Sequence, residues 1–284
     1  MAERKRIFLL VFVGILLCSA SHSFAQLPKW KAIEAKGDTL YKNKDFKGAI
    51  KYYTKAIDLN KLQDKQIYNT IYKRAVSYFS TEQFSFALKD LDIFIPQFPA
   101  IHQAKLLKAF IYREMGDEDN QLVNLELAME NQQPDPELLK WRGMIYLQKE
   151  EYQKTKSDML VARQLQDDSE TETYLGLAYY NLDQKDSSFI SFNRSIELDA
   201  TYLPAYLYAG SILLEDSDFP LALTYLDLAL RIDSKNKEVI FYKGIALVEL
   251  KRMDEGCSCL NKAFYAGMDE ASGYLTEFCY DVEN

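Results

Sequence analysis

Apolar and polar positions repeat with one long period along this chain, most legibly over residues 203–236, LPAYLYAGSILLEDSDFPLALTYLDLALRIDSKN. Tyr206, Ala209, Gly210 and Leu213 fall at i, i+3, i+4 and i+7, one face of an α-helix. Polar residues 215–218 break that run. Phe219, Ala222, Leu226 and Ala229 then open a second helical face, which closes at Ile232-Asp233-Ser234. Each helix alone would leave an apolar stripe in water. Folded as an antiparallel hairpin they cover one another's inner faces and leave an outer face that only a neighbouring copy can cover.

The copies are present. Aligning the small residue of the first helix gives Gly37, Ala75, Ala109, Gly143, Gly176, Gly210 and Gly244, at separations of 38, 34, 34, 33, 34 and 34 residues. Twelve residues after each lie Ala49, Ala87, Gln121, Thr155, Ser188, Ala222 and Gly256. Seven further on lie Ala56, Phe94, Ala128, Ala162, Ser195, Ala229 and Ala263. Small side chains there let two helix backbones approach closely. Leu40, Tyr78, Tyr112, Tyr146, Tyr179, Leu213 and Leu247, three residues after the small one, supply bulk between them.

This pattern of aromatic, Leu-Gly, Tyr, Ala, Phe, Ala and Pro resembles the tetratricopeptide repeat over roughly residues 30–270. The resemblance implies an all-α, right-handed solenoid of about seven helix–turn–helix repeats, near 30–63, 68–101, 102–135, 136–169, 169–202, 203–236 and 237–270. Departures are Gln121, Lys185 in place of an aromatic, and a weak fifth repeat. Residues 64–67 form a polar spacer that accounts for the 38-residue step. Pro96 and Pro99 close the second repeat, and Pro134 and Pro136 divide the third from the fourth, Pro136 standing at a helix start. Residues 270–281 are expected to form a short capping helix, and residues 26–284 one domain.

Residues 1–25 read as a signal peptide. Arg4, Lys5 and Arg6 precede an apolar run over residues 7–17, and Ser23 and Ala25 place cleavage before Gln26. The run is short for a membrane-crossing helix, which needs about 20 residues. The competing reading is a lipoprotein modified at Cys18, although Leu17 stands where a small residue is usual. The expected location is periplasmic or secreted, with an outer-membrane lipoprotein as the alternative.

Charge narrows the partners. The chain carries 34 basic and 42 acidic side chains, a formal net charge of −8, and loss of residues 1–25 would move it to about −10. That opposes binding to nucleic acid or an anionic membrane surface; membrane contact is expected only if Cys18 is lipidated.

The residues disclose no reaction. Outside the signal segment His102 is the single histidine, no glycine-rich phosphate loop follows a strand, and Asp117-Glu118-Asp119 and Asp167-Asp168 lack the calcium-loop pattern. Asn193-Arg194-Ser195 matches a glycosylation sequon but falls inside a helix. No metal, no cofactor, no small-molecule substrate and no enzymatic activity are expected. Cys257 and Cys259 diverge on one helix, so a disulfide from one of them to Cys279 is expected, three free buried thiols being the other possibility. The resemblance favours Cys257 with Cys279.

The resemblance also implies a groove lined by first-helix residues: Tyr72, Phe79, Leu106, Phe110, Met144, Leu147, Leu177, Tyr180, Leu207, Leu214, Phe241, Ile245 and Val248, some of them shared with the core. Glu34, Asp38, Glu114, Glu137, Glu170, Glu215, Glu238 and Glu249 would edge it. The Lys-Asn-Arg clamp for acidic C-terminal peptides is absent, since Glu34 and Asp38 occupy its positions in repeat one. The expected function is a protein–protein interaction scaffold outside the cytoplasm that binds a protein or peptide segment in its groove. The alternative is a lipidated component of an outer-membrane assembly or transport complex.

Overall fold

The computed structural model describes residues 28–280; the expected signal peptide, its cleavage site and Cys18 lie outside them. All regular structure among the described residues is helical. The chain divides into two compact units, one ending at Gln133 and one beginning at Pro134.

Unit one holds three helix pairs: α1 (Lys29–Lys42) with α2 (Phe46–Asn60), α3 (Ile67–Ser80) with α4 (Phe84–Phe94), and α5 (His102–Met115) with α6 (Glu118–Met129). Unit two holds four: α7 (Pro136–Gln148) with α8 (Tyr152–Leu165), α9 (Ser169–Asn181) with α10 (Lys185–Leu198), α11 (Leu203–Glu215) with α12 (Phe219–Ile232), and α13 (Lys237–Glu249) with α14 (Met253–Tyr265). A short helix, α15 (Ala271–Leu275), and a π-helical turn, Thr276–Tyr280, follow. Odd-numbered helices are thus the first of each pair.

One rule holds every pair together. Sixteen residues after each aligned small residue stands a large one, Tyr53, Leu91, Leu125, Met159, Phe192, Leu226 and Leu260, each fully buried. It fills the space the missing side chain leaves. A Cβ built on Gly37 would lie 2.6 Å from the Tyr53 ring, one on Gly176 2.7 Å from Phe192 and one on Gly210 2.8 Å from Leu226. Burying each such side chain contributes about 2 kcal/mol.

The fifth repeat's departures are satisfied by hydrogen bonds. Ser188 Oγ donates to the Gly176 carbonyl at 2.7 Å, and Thr155 makes the same bond to Gly143 at 3.1 Å. Ser195 Oγ donates to the Ser169 carbonyl at 2.7 Å. A hydroxyl replaces a methyl without stranding a buried polar atom.

The turn inside each pair is fixed too. Seven residues after each aligned small residue the backbone is left-handed, at Lys44, Glu82, Gly116, Glu150, Asp183, Ser217 and Lys251. Only Gly116 adopts it without steric cost. The residue after it starts the second helix, and Asp45, Asp117 and Asp218 cap those helices by accepting from the amides of Gly48, Asn120 and Leu221. Across two hairpins a bidentate ion pair recurs at one register: Arg74 with Asp90 and Arg142 with Asp158, each at 2.7 Å.

At the C-terminal end, Ala271 and Leu275 are buried against Phe241, Val248 and Leu260, with Tyr274 and Phe278 packed beside them. Cys257 and Cys279 are joined by a disulfide that ties this segment to α14, and Cys259 is free.

Candidate functional site

In unit one, the expected groove residues mostly face inward. Phe110 is buried, with the Arg113 guanidinium 5.0 Å from its ring centroid. Tyr72 is half-buried and stacked on Phe94 at 4.9 Å, and Phe79 packs on the same cluster. Burial pushes the Tyr72 phenol up to about 12. Leu106 is half-buried. Glu34 does not edge a groove: it is buried, accepting from Thr70 at 2.8 Å and from Lys73 at 3.1 Å. Asp38 accepts from Lys73 and from Tyr53 Oη, both at 2.9 Å. A lysine from α3 thus neutralises the two carboxylates of α1, because α3 packs over that face.

In unit two, α7, α9, α11 and α13 pack side by side in that order. Met144, Leu147, Leu177, Tyr180, Leu214 and Ile245 are half-buried on them. Leu207, Phe241 and Val248 are core instead: Leu207 packs among Tyr206, Leu226 and Val239, while Phe241 and Val248 lie under the C-terminal cap. Their register faces the next helix pair as much as the surface, which helical spacing alone does not separate. Tyr180 donates to Glu215 and Asp216, each at 3.3 Å, and Lys185 lies 5.7 Å from its ring centroid while pairing with Asp216. That is what Lys185 does in place of the usual aromatic. Burial and then the carboxylates Asp216 and Glu215 push the Tyr180 phenol up to about 12.

The same helices carry a row that the sequence reading passed over. Trp141, Tyr174, Tyr208 and Tyr242 occupy one register position on α7, α9, α11 and α13, at steps of 33, 34 and 34 residues. Tyr208 is 38 % exposed and the others are half-buried. Tyr174 Oη donates to Glu170 at 3.2 Å. Burial raises the phenols of Tyr174, Tyr208 and Tyr242, and the charge of Glu170 on the first and of Glu238 on the other two raises them further. The aromatic spacing was the signal that could have found this row. A second signal was charge segregation: residues 134–284 hold 27 acidic side chains against 15 basic ones.

Lys140 is a buried cation of this face. It pairs with Glu137 at 2.8 Å, Asp168 at 2.9 Å and Glu170 at 3.1 Å. Burial opposes its charge, but the three carboxylates prevail and raise its pKa. Asp168 also caps α9, accepting from the Thr171 amide at 2.8 Å. Lys140, Asp168 and Glu170 line a cleft of about 420 Å³ with Tyr202 and Asp199. Asp117 is a helix cap, Asp167 pairs with Arg194, and Asn193 accepts from Tyr225 at 2.9 Å. Among the described residues no group of three or more His, Cys, Asp or Glu side chains could hold a metal ion, and no helix is long and apolar enough to cross a membrane.

A family model described as tetratricopeptide repeat matches residues 31–61 and 175–202. Among solved structures, a tetratricopeptide repeat protein from Parabacteroides merdae superposes with a TM-score of 0.64 at 13% identity, covering 85% of this chain and 96% of that one. The C-terminal part of a TPR repeat-containing protein from Cytophaga hutchinsonii gives 0.64 at 18% identity, covering 86% and 98%. PilW, a type IV pilus biogenesis factor, gives 0.61 at 13% identity, covering 74% and 99%. Comparison with curated proteins found no match.

Proposed function

We propose that this chain, which matches the tetratricopeptide repeat over residues 31–61 and 175–202 and shares the fold of the repeat structures above, is a non-enzymatic scaffold that binds a polypeptide segment outside the cytoplasm. The observation that carries the reading is the face of unit two. Four parallel first helices present half-buried Met144, Leu147, Leu177, Tyr180, Leu214 and Ile245, bordered by carboxylates. Apolar side chains left half-covered beside acidic ones suit an amphipathic or extended segment better than a small molecule. The matches indicate no catalytic family, and scaffolds built of these repeats are in general not enzymes.

The location rests on residues 1–25 and gains support from the Cys257–Cys279 disulfide, which suits an oxidising compartment. Intact-mass measurement of the native protein is expected to give a chain starting at Gln26; a start at Cys18 with added diacylglycerol would replace a soluble scaffold by a lipid-anchored one.

Affinity capture from the native envelope fraction tests the binding face. A polypeptide retained by the wild-type chain is expected to be lost from Leu177→Ala/Tyr180→Ala, because anchors of this kind each contribute about 1–2 kcal/mol. Unchanged retention by the double variant would refute the face.

A further inference from the structure

Building on unit two as a polypeptide-binding surface, we propose that its row of Tyr174, Tyr208 and Tyr242 seats a segment in polyproline II conformation bearing Lys or Arg at about every third residue. The row exists because one register position repeats on three helices that lie side by side. Neighbouring helices pack roughly 10 Å apart, so successive rings are separated by about that distance. A polyproline II chain has three residues per turn and advances about 3.1 Å per residue, so cations at every third position share one face, about 9 Å apart, and meet one ring after another.

Charge selects a cation for those rings. Glu238, Glu249 and Glu270 pair with no cation among the described residues. The excess of acidic over basic side chains in residues 134–284 leaves that negative charge uncompensated within the unit. Glu170 lies beside Tyr174 and Glu238 near Tyr208 and Tyr242, so a cation over these electron-rich rings meets a carboxylate as well. Unit two already makes such contacts, at Tyr146, Tyr179 and Tyr180. Lys185 sits over the Tyr180 ring while Asp216 takes its charge, and Glu215 and Asp216 both accept from the phenol. A partner's lysine over Tyr208 beside Glu238 would repeat that arrangement across an interface.

Fluorescence anisotropy with the full, disulfide-intact chain tests this with two labelled peptides of one composition. One carries Arg at every third residue, and the other carries the same arginines in a block. The spaced peptide is expected to bind about tenfold more tightly, and Tyr208→Ala/Tyr242→Ala to erase that preference, while Tyr208→Phe/Tyr242→Phe stays within about twofold of wild type. Thermal melts of both variants establish that they remain folded. Equal binding of the two peptides, or an undiminished preference in the alanine variant, overturns the inference. If the spaced peptide fails while an arginine-free apolar peptide binds and is lost on Leu177→Ala/Tyr180→Ala, the inference falls and the proposed function stands. If no peptide responds to either double variant, both fall.

Discussion

Single side chains decide local stability here through the company they keep. Asp168 has two tasks, capping α9 through the Thr171 amide and pairing with Lys140. Its burial opposes ionisation, yet the Thr171 amide and Lys140 outweigh that and hold its pKa below the usual carboxylate range. A carboxylate whose pKa is lower folded than unfolded adds stability above its unfolded value, near 3.9, and loses it as pH falls through the folded value. Asn caps a helix as well as Asp does, so Asp168→Asn removes the charge and spares the cap. Urea unfolding is expected to show the variant less stable by about 1 kcal/mol at pH 7, with the gap closing below pH 4. A gap that persisted in acid would mean the ion pair is not its source. Charge partners of this kind were not legible in the sequence. Nothing about Lys140 or Glu34 in isolation says that one lies among three carboxylates and the other under Thr70 and Lys73. Apart from the Glu137–Lys140 pair within α7, those contacts cross between repeats, and residue spacing reports only what happens along one helix.

At the scale of helices, small residues meet large ones, and how much a small residue matters depends on what it touches. A Cβ on Gly256 would lie 3.0 Å from the Val248 amide nitrogen and 3.1 Å from the Gly244 carbonyl oxygen, backbone atoms that cannot step aside. One on Gly143 would press on the terminal methyl of Met159, which a rotamer change can move. Gly256→Ala is therefore expected to cost about 2 kcal/mol, whereas Gly143→Ala should be neutral or stabilising by about 0.5 kcal/mol. Denaturant midpoints of the two variants check this, and the reverse order would contradict the packing rule. The repeat period and its small residues were plain in the sequence because apolar spacing reports packing directly. The left-handed turn residue was hidden, since Glu82, Glu150 and Asp183 carry no turn signature and only Gly116 does.

The C-terminal helices have a neighbour on one side only, and the disulfide compensates for that. It closes a separation of 22 residues, so the chain-entropy model assigns it about 3 kcal/mol. Reductant, or Cys279→Ser, is expected to lower the unfolding free energy by about that amount and the midpoint with it, while Cys259→Ser leaves both in place. An unchanged midpoint in reductant would show that packing of Leu275 and Phe278 alone holds the segment.

For the whole molecule, the proposed binding face lies on the first helices of unit two, with the second helices as support. Part of that face was legible: Leu177, Tyr180, Met144 and Ile245 were expected on it and remain half-exposed there. Leu207, Phe241 and Val248 were expected there and are core, because a first helix is covered from two sides and its spacing does not say which flank stays open. The most direct test is a photo-crosslinking residue placed singly at Leu177, Tyr208, Ile190 and Leu221 in cells making the protein. Ile190 and Leu221 are exposed on the second helices, at 69 % and 42 %, and serve as the comparison. Polypeptide adducts are expected from Leu177 and Tyr208 and not from Ile190 and Leu221. Adducts from Ile190 or Leu221, with none from Leu177 and Tyr208, would contradict the account.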